Sequence, residues 1–122
     1  MAEKLLYKPE ELKPMPFFRQ GDSWIAGISG HELLKRTEEL GAVEGEEEFK
    51  LIWENRGSIP EDWLRYRDVL VLDAHAGLVR VLQWNSRDKC WLHGNITLGS
   101  RFYDDSCLLC PRCSCERLGI GV

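Results

Sequence analysis

Six side chains in the last third of the chain have the chemistry to hold a soft metal ion: Cys90, His93, Cys107, Cys110, Cys113 and Cys115. Zinc takes four such ligands in a tetrahedron, and a C-x-x-C or C-x-x-H pair on a tight turn aims two of them at one point. Two pairs of this kind occur, Cys90-Trp91-Leu92-His93 and Cys110-Pro111-Arg112-Cys113, with sixteen residues between them. The expected zinc set is therefore Cys90, His93, Cys110 and Cys113, with Cys107 and Cys115 as rivals. Four protein ligands leave no place for water, so such a zinc would be structural rather than catalytic. The spacing sets one condition. In a regular strand Cys90 and His93 face opposite ways, so a turn has to begin before His93.

The segment Cys110-Pro111-Arg112-Cys113 resembles the C-P-x-C knuckle of zinc-ribbon and treble-clef proteins, and Cys90-Trp91-Leu92-His93-Gly94 resembles a C-x-x-H-G variant of the same turn. The resemblance spans about twenty-five residues and implies a metal that pins the C-terminal segment to the body. Two other fates compete for the thiols. They stay reduced, as the odd total of 5 cysteines suggests for an intracellular chain, or they form disulfides or do redox work. A thioredoxin-like site would need a βαβ context that the sequence lacks.

Catalysis has weaker support. A small hydrolase or cysteine-dependent enzyme would draw on Cys90, His93 or His75, with a thiolate in hydrogen-bond reach of an imidazole. Asp73 and His75 share a turn, but side chains at i and i+2 rarely meet, and the pair reads as turn polarity. His31 reads as a helix-start residue, and Asp104-Asp105 as solvated loop acids. Phosphate-cradling glycine loops and nucleophile-elbow or zinc-protease motifs do not occur.

Binding is the better-supported class. Trp63 beside Arg65, Tyr66 and Arg67 is the expected partner-binding patch, because Trp and Arg dominate interface hot spots. A zinc-knuckle nucleic-acid binder would instead need a continuous face made from Arg65, Arg67, Arg80, Arg101 and Arg112. Charge argues against that face. Residues 1–61 carry 8 Lys+Arg against 13 Asp+Glu, residues 62–122 carry 8 against 7, and the formal net charge is −4. No basic stripe stands out to neutralise phosphates.

The elements that must position these residues follow from local patterns. Pro9, Pro14 and Pro16 make residues 1–20 an extended arm, tied down by Met15, Phe17 and Phe18. Trp24–Ile28 is a short apolar run and is expected as a strand. Ser29-Gly30-His31-Glu32 matches a capping box and opens a helix that runs to Leu40 and stops at Gly41. Phe49, Leu51 and Trp53 alternate with Lys50, Ile52 and Glu54, which predicts a strand; a helix over 46–55 competes, since its glutamates suit a helix N-terminus. Pro60–Leu64 is a Pro-initiated helical turn. The second half predicts an antiparallel meander: Val69–Leu72 buried on both faces, Leu78–Trp84, a shorter Lys89–His93 ended by Gly94-Asn95, then Ile96–Leu98.

These readings combine into one α+β domain over 1–122. An arm (1–20) and one clear helix pack on a β-meander in the body (21–106), followed by a cysteine-rich tail (107–122). The expected function is a non-catalytic protein-interaction or regulatory module with a structural zinc and another protein as partner. The N-terminus lacks the apolar core of a secretory signal, and no run approaches the ~18 apolar residues of a membrane span. The expected location is intracellular, with no membrane partner.

Overall fold

A computed structural model describes residues 6–112. The fold is α+β: two α-helices, a mixed five-stranded sheet and a small two-stranded antiparallel sheet. The large sheet comprises β1 (Leu12–Met15), β3 (Asp68–Asp73), β4 (Leu78–Asn85), β5 (Cys90–Thr97) and β7 (Ser106–Pro111), in the order β1-β7-β3-β4-β5. The β3-β4-β5 meander is antiparallel, as its turn residues require. β7 then runs parallel to β3 and antiparallel to β1. The small sheet pairs β2 (Ile28–Ser29) with β6 (Arg101–Phe102).

Strand alternation divides the core in two. On one face Leu70, Leu72, Val79, Val81, Leu108 and Cys110 pack with Leu33 of α1 (Gly30–Leu40) and with Phe17 and Phe102. On the other, Val69, Val71, Leu82, Cys107 and Leu109 pack with Phe49 and Ile52 of α2 (Glu46–Glu54) and with Trp63. The link between the helices is stitched to the sheet: Val43 donates to the Leu109 carbonyl at 2.8 Å and Gly45 to that of Leu72 at 2.7 Å.

α1 forms where its boundary residues place it. The Ser29 hydroxyl accepts from the Glu32 N–H at 3.0 Å, and Gly41, at φ 67°, donates back to the Glu38 and Thr37 carbonyls. The Glu32 carboxylate turns to Arg36 Nε at 3.0 Å. Arg36 is buried and pins the arm, donating to the Phe17 carbonyl at 3.1 Å and to both oxygens of Asp22 at 2.5 and 3.0 Å.

Four elements differ from the sequence reading. Residues 46–54 are helical, because Phe49, Ile52 and Trp53 make an i, i+3, i+4 apolar stripe behind three first-turn glutamates. Trp24–Ala26 form a turn rather than a strand, and Trp24 and Ile25 are each 71% exposed. β5 continues through Gly94 to Thr97 as one strand. Residues 107–111, expected at the start of a tail, lie in β7, flanked by β1 and β3.

Candidate functional site

The parts that meet at one end of the β4–β5 hairpin form a concave surface. Asn85-Ser86-Arg87-Asp88 closes the hairpin: the Asn85 side chain accepts from the N–H groups of Arg87 and Asp88 at 3.0 and 3.1 Å. That turn sets a register with Trp84 directly opposite Trp91. Their ring centroids lie 5.4 Å apart at 64°, and Trp91 meets Trp63 at 6.5 Å and 75°. Both are edge-to-face contacts of the favourable kind. The three rings form a chain from core to surface. Trp63 is fully buried, while Trp91 and Trp84 are half-buried.

The short 3₁₀ turns Arg56–Ser58 and Glu61–Arg65 pack beside these rings and complete a cleft of about 350 Å³. Its lining includes Ile59, Leu64, Trp84, Trp91, Arg56 and Lys89. An adjoining groove of about 430 Å³ is lined by Leu64, Arg65, Tyr66, Arg67, Gln83 and Trp84. The two adjoin at Leu64 and Trp84, which line both, and together they are called the trough. Arg56, Arg65, Arg67 and Lys89 border it with one carboxylate, Glu61, in the lining, and Arg67 is also ion-paired with Asp105 at 3.8 Å. Positive charge is thus gathered here on a chain whose net charge is −4. The Arg56 guanidinium lies 4.2 Å from the Trp53 ring centroid, a cation–π contact, and donates to the Trp53 carbonyl at 2.9 Å.

The expected patch is partly here. Arg65 and Arg67 are exposed and Tyr66 is half-buried, with its phenol pushed above its ordinary range mainly by burial. Trp63 is not a surface residue: it is fully buried, and its indole N–H donates to the Leu12 carbonyl at 3.3 Å. It supports the trough from beneath. Trp84, Trp91, Leu64 and Lys89 were not singled out by sequence reasoning. The signal was available, because a four-residue turn after Asn85 places Trp84 opposite Trp91.

The expected zinc ligands are dispersed. Cys90 is exposed on the trough. His93 is three residues along a continuous strand, so its side chain leaves the face opposite to that of Cys90 and shares the α2 side with Trp91. Its ring packs 4.4 Å from Trp53 and 6.2 Å from Phe49. Cys110 is on β7, separated from β5 by β3 and β4. Three strand spacings are about 14 Å, far beyond the span of one coordination sphere. Cys107 and Cys110 are buried from opposite faces of β7, and burial pushes both thiols up from their ordinary range. The Cys110 thiol lies 3.6 Å from the Leu40 carbonyl. Cys113 and Cys115 lie outside the described residues. Among the described residues no cluster of three or more His, Cys, Asp or Glu side chains is placed to hold a metal ion.

The other candidate groups also separate. His75 is exposed in the β3–β4 turn, at the opposite end of the strands from Cys90. Asp73 is engaged by Arg80 at 2.8 Å and caps Ala76. Of the five arginines considered for a nucleic-acid face, Arg80 is held by Asp73, Arg112 by Asp62 at 3.1 Å, and Arg101 by the carbonyls of Ala26 and Gly27. Only Arg65 and Arg67 border the trough. No helix among the described residues is long and apolar enough to cross a membrane. No family model, curated protein or solved structure matches the chain.

Proposed function

We propose that the chain is a non-catalytic protein-interaction module whose binding surface is the tryptophan trough. The observation that carries this reading is the combination of Trp84, Trp91 and Leu64 with four bordering cations. Aromatic rings supported from below lose little entropy on binding, and Trp and Arg supply most interface hot spots. The chemistry that fits is a segment with one aromatic or aliphatic anchor flanked by Asp or Glu. The anchor fills the cleft, and the carboxylates face Arg56, Lys89, Arg65 and Arg67. The zinc set proposed from sequence is not needed for this reading. The thiols of Cys107 and Cys110 act in it as apolar core groups.

The test is a peptide-display selection on the full chain, with binding of the recovered peptides compared between the native protein and Leu64→Glu. Leu64 is 45% exposed, so the change leaves the core intact. The expected result is recovery of anchors flanked by acids, with binding at least tenfold weaker to the variant. Peptides indifferent to Leu64, or tight salt-sensitive binding of a single-stranded oligonucleotide in their place, would overturn the proposal.

A further inference from the structure

The two edges of the large sheet are built differently. β1 has four residues, and its Lys13 and Pro14 are of the kinds that discourage strand addition. β5 has eight residues, Cys-Trp-Leu-His-Gly-Asn-Ile-Thr, with no proline and no Lys, Arg, Asp or Glu. Among the described residues no strand pairs with its outer side. Leu92, His93, Gly94, Asn95 and Thr97 are exposed. The edge is about 27 Å long and has neither the proline nor the charged side chains that usually discourage pairing.

We infer that β5 is a dimerisation edge, and that its occupant is β5 of a second copy, added antiparallel so that the two five-stranded sheets become continuous. Three observations favour a second copy. A strand with no formal charge meets itself without like charges opposed in any register. Hydrogen-bond parity also fits. Leu98 donates to Gly77 at 3.0 Å, so the even-numbered residues of β5 bond inward to β4. Trp91, His93, Asn95 and Thr97 are left with their N–H and C=O directed outward. Third, a two-fold axis through Gly94 matches side chains on both faces: Leu92 meets Ile96 of the other copy, Trp91 meets Thr97, and His93 meets Asn95. Gly94 then faces itself in a non-hydrogen-bonded pair, the closest approach in an antiparallel ladder. A strand-only contact falls in the small class of interfaces, so the dimer forms at micromolar concentration and above. The contact borders the trough at Trp91, which lines the cleft, but does not rest on the trough's being a binding surface.

The test is sedimentation of the full chain from about 1 to 500 μM, under reducing conditions, with two variants. Asn95→Pro removes an outward N–H and the hydrogen bond that the Asn95 side chain accepts from Arg80, leaves the backbone ladder to β4 in place, and is expected to stay monomeric throughout. Gly94→Cys adds a side chain where a Cβ meets nothing within 4 Å. Under mild oxidation it is expected to cross-link to its own counterpart, located at position 94 by peptide mapping, whereas Asn95→Cys does not. Because Cys90 is exposed, both cross-linking variants carry Cys90→Ser. A native chain that stays monomeric at every concentration would overturn the inference. So would a dimer that survives Asn95→Pro and fails to cross-link at position 94. Leu64→Glu is expected to leave dimerisation unchanged, which keeps failure here distinct from failure of the trough proposal.

Discussion

At the scale of single residues, burial decides which side chains do chemistry and which hold the fold. Trp63 drew notice as a surface anchor because it stands beside two arginines, yet it is fully buried and bonded to Leu12. Sequence alone did not reveal this, since its partner is 51 positions away. Trp63→Ala is expected to destabilise the protein by about 3–5 kcal/mol in urea unfolding, the usual cost of emptying a buried tryptophan site; a loss under about 1 kcal/mol would contradict that role. The cysteines divide on the same ground. Cys90 is expected to react with iodoacetamide in the native protein, while Cys107 and Cys110 react only on unfolding, because burial disfavours their thiolates. Mass mapping of a short labelling pulse checks this. Asp22 gives a pH signature. Its carboxyl is held at about 2, against 3.8 ordinarily, chiefly by the Arg36 hydrogen bond and then by the Arg19 N–H. The unfolded chain takes up a proton that the folded one refuses. The contribution is therefore complete above about pH 4 and is lost as pH falls toward 2. Asp22→Asn is expected to flatten that part of the stability profile, and an unchanged slope would contradict the assignment.

At the scale of elements, the legible parts are those with local punctuation. Ser29 and Gly41 mark both ends of α1, and the apolar run before Asp73 marks β3. Where the pattern served two periods, sequence could not choose: Phe49, Leu51 and Trp53 alternate like a strand, while Phe49, Ile52 and Trp53 stripe a helix. Burial of Phe49 and Ile52 against the sheet decided for the helix. β7 was missed because its partners, β1 and β3, are far away in sequence, and its cysteines suggested a metal-bound tail. β5 was cut short at Gly94, a residue that an edge strand tolerates. The junction of α1 with the β5–β6 loop offers a direct check. Gly30 opens α1, and a Cβ there would collide with the Leu98 carbonyl. Gly30→Ala is expected to cost about 1–3 kcal/mol from overpacking, although alanine is the better helix former. A stabilised variant in chemical denaturation would show that the helix does not pack there as described.

At the scale of the whole molecule, the sheet separates two tasks. One face holds α1 and the arm through Arg36 and Phe17; the other holds α2 and ends in the trough. Little of this trough was legible, because it joins two 3₁₀ turns to one end of a hairpin. Of the residues that line it, only Arg65, Tyr66 and Arg67 belong to the patch anticipated with Trp63. Their charge, with that of Arg56 and Lys89, makes a locally positive surface on an acidic chain. Attraction between exposed charges is screened by salt. The affinity of an acidic ligand is therefore expected to fall several-fold between about 50 and 500 mM NaCl. Binding at the trough is tested most directly by an NMR titration of the full chain with indole-3-acetate, an aromatic ring beside a carboxylate. Saturable shifts are expected at the Trp84 and Trp91 indole N–H groups and at the Lys89 amide, abolished by Leu64→Glu. Shifts centred elsewhere, or none at the two indoles up to saturating ligand, would contradict it.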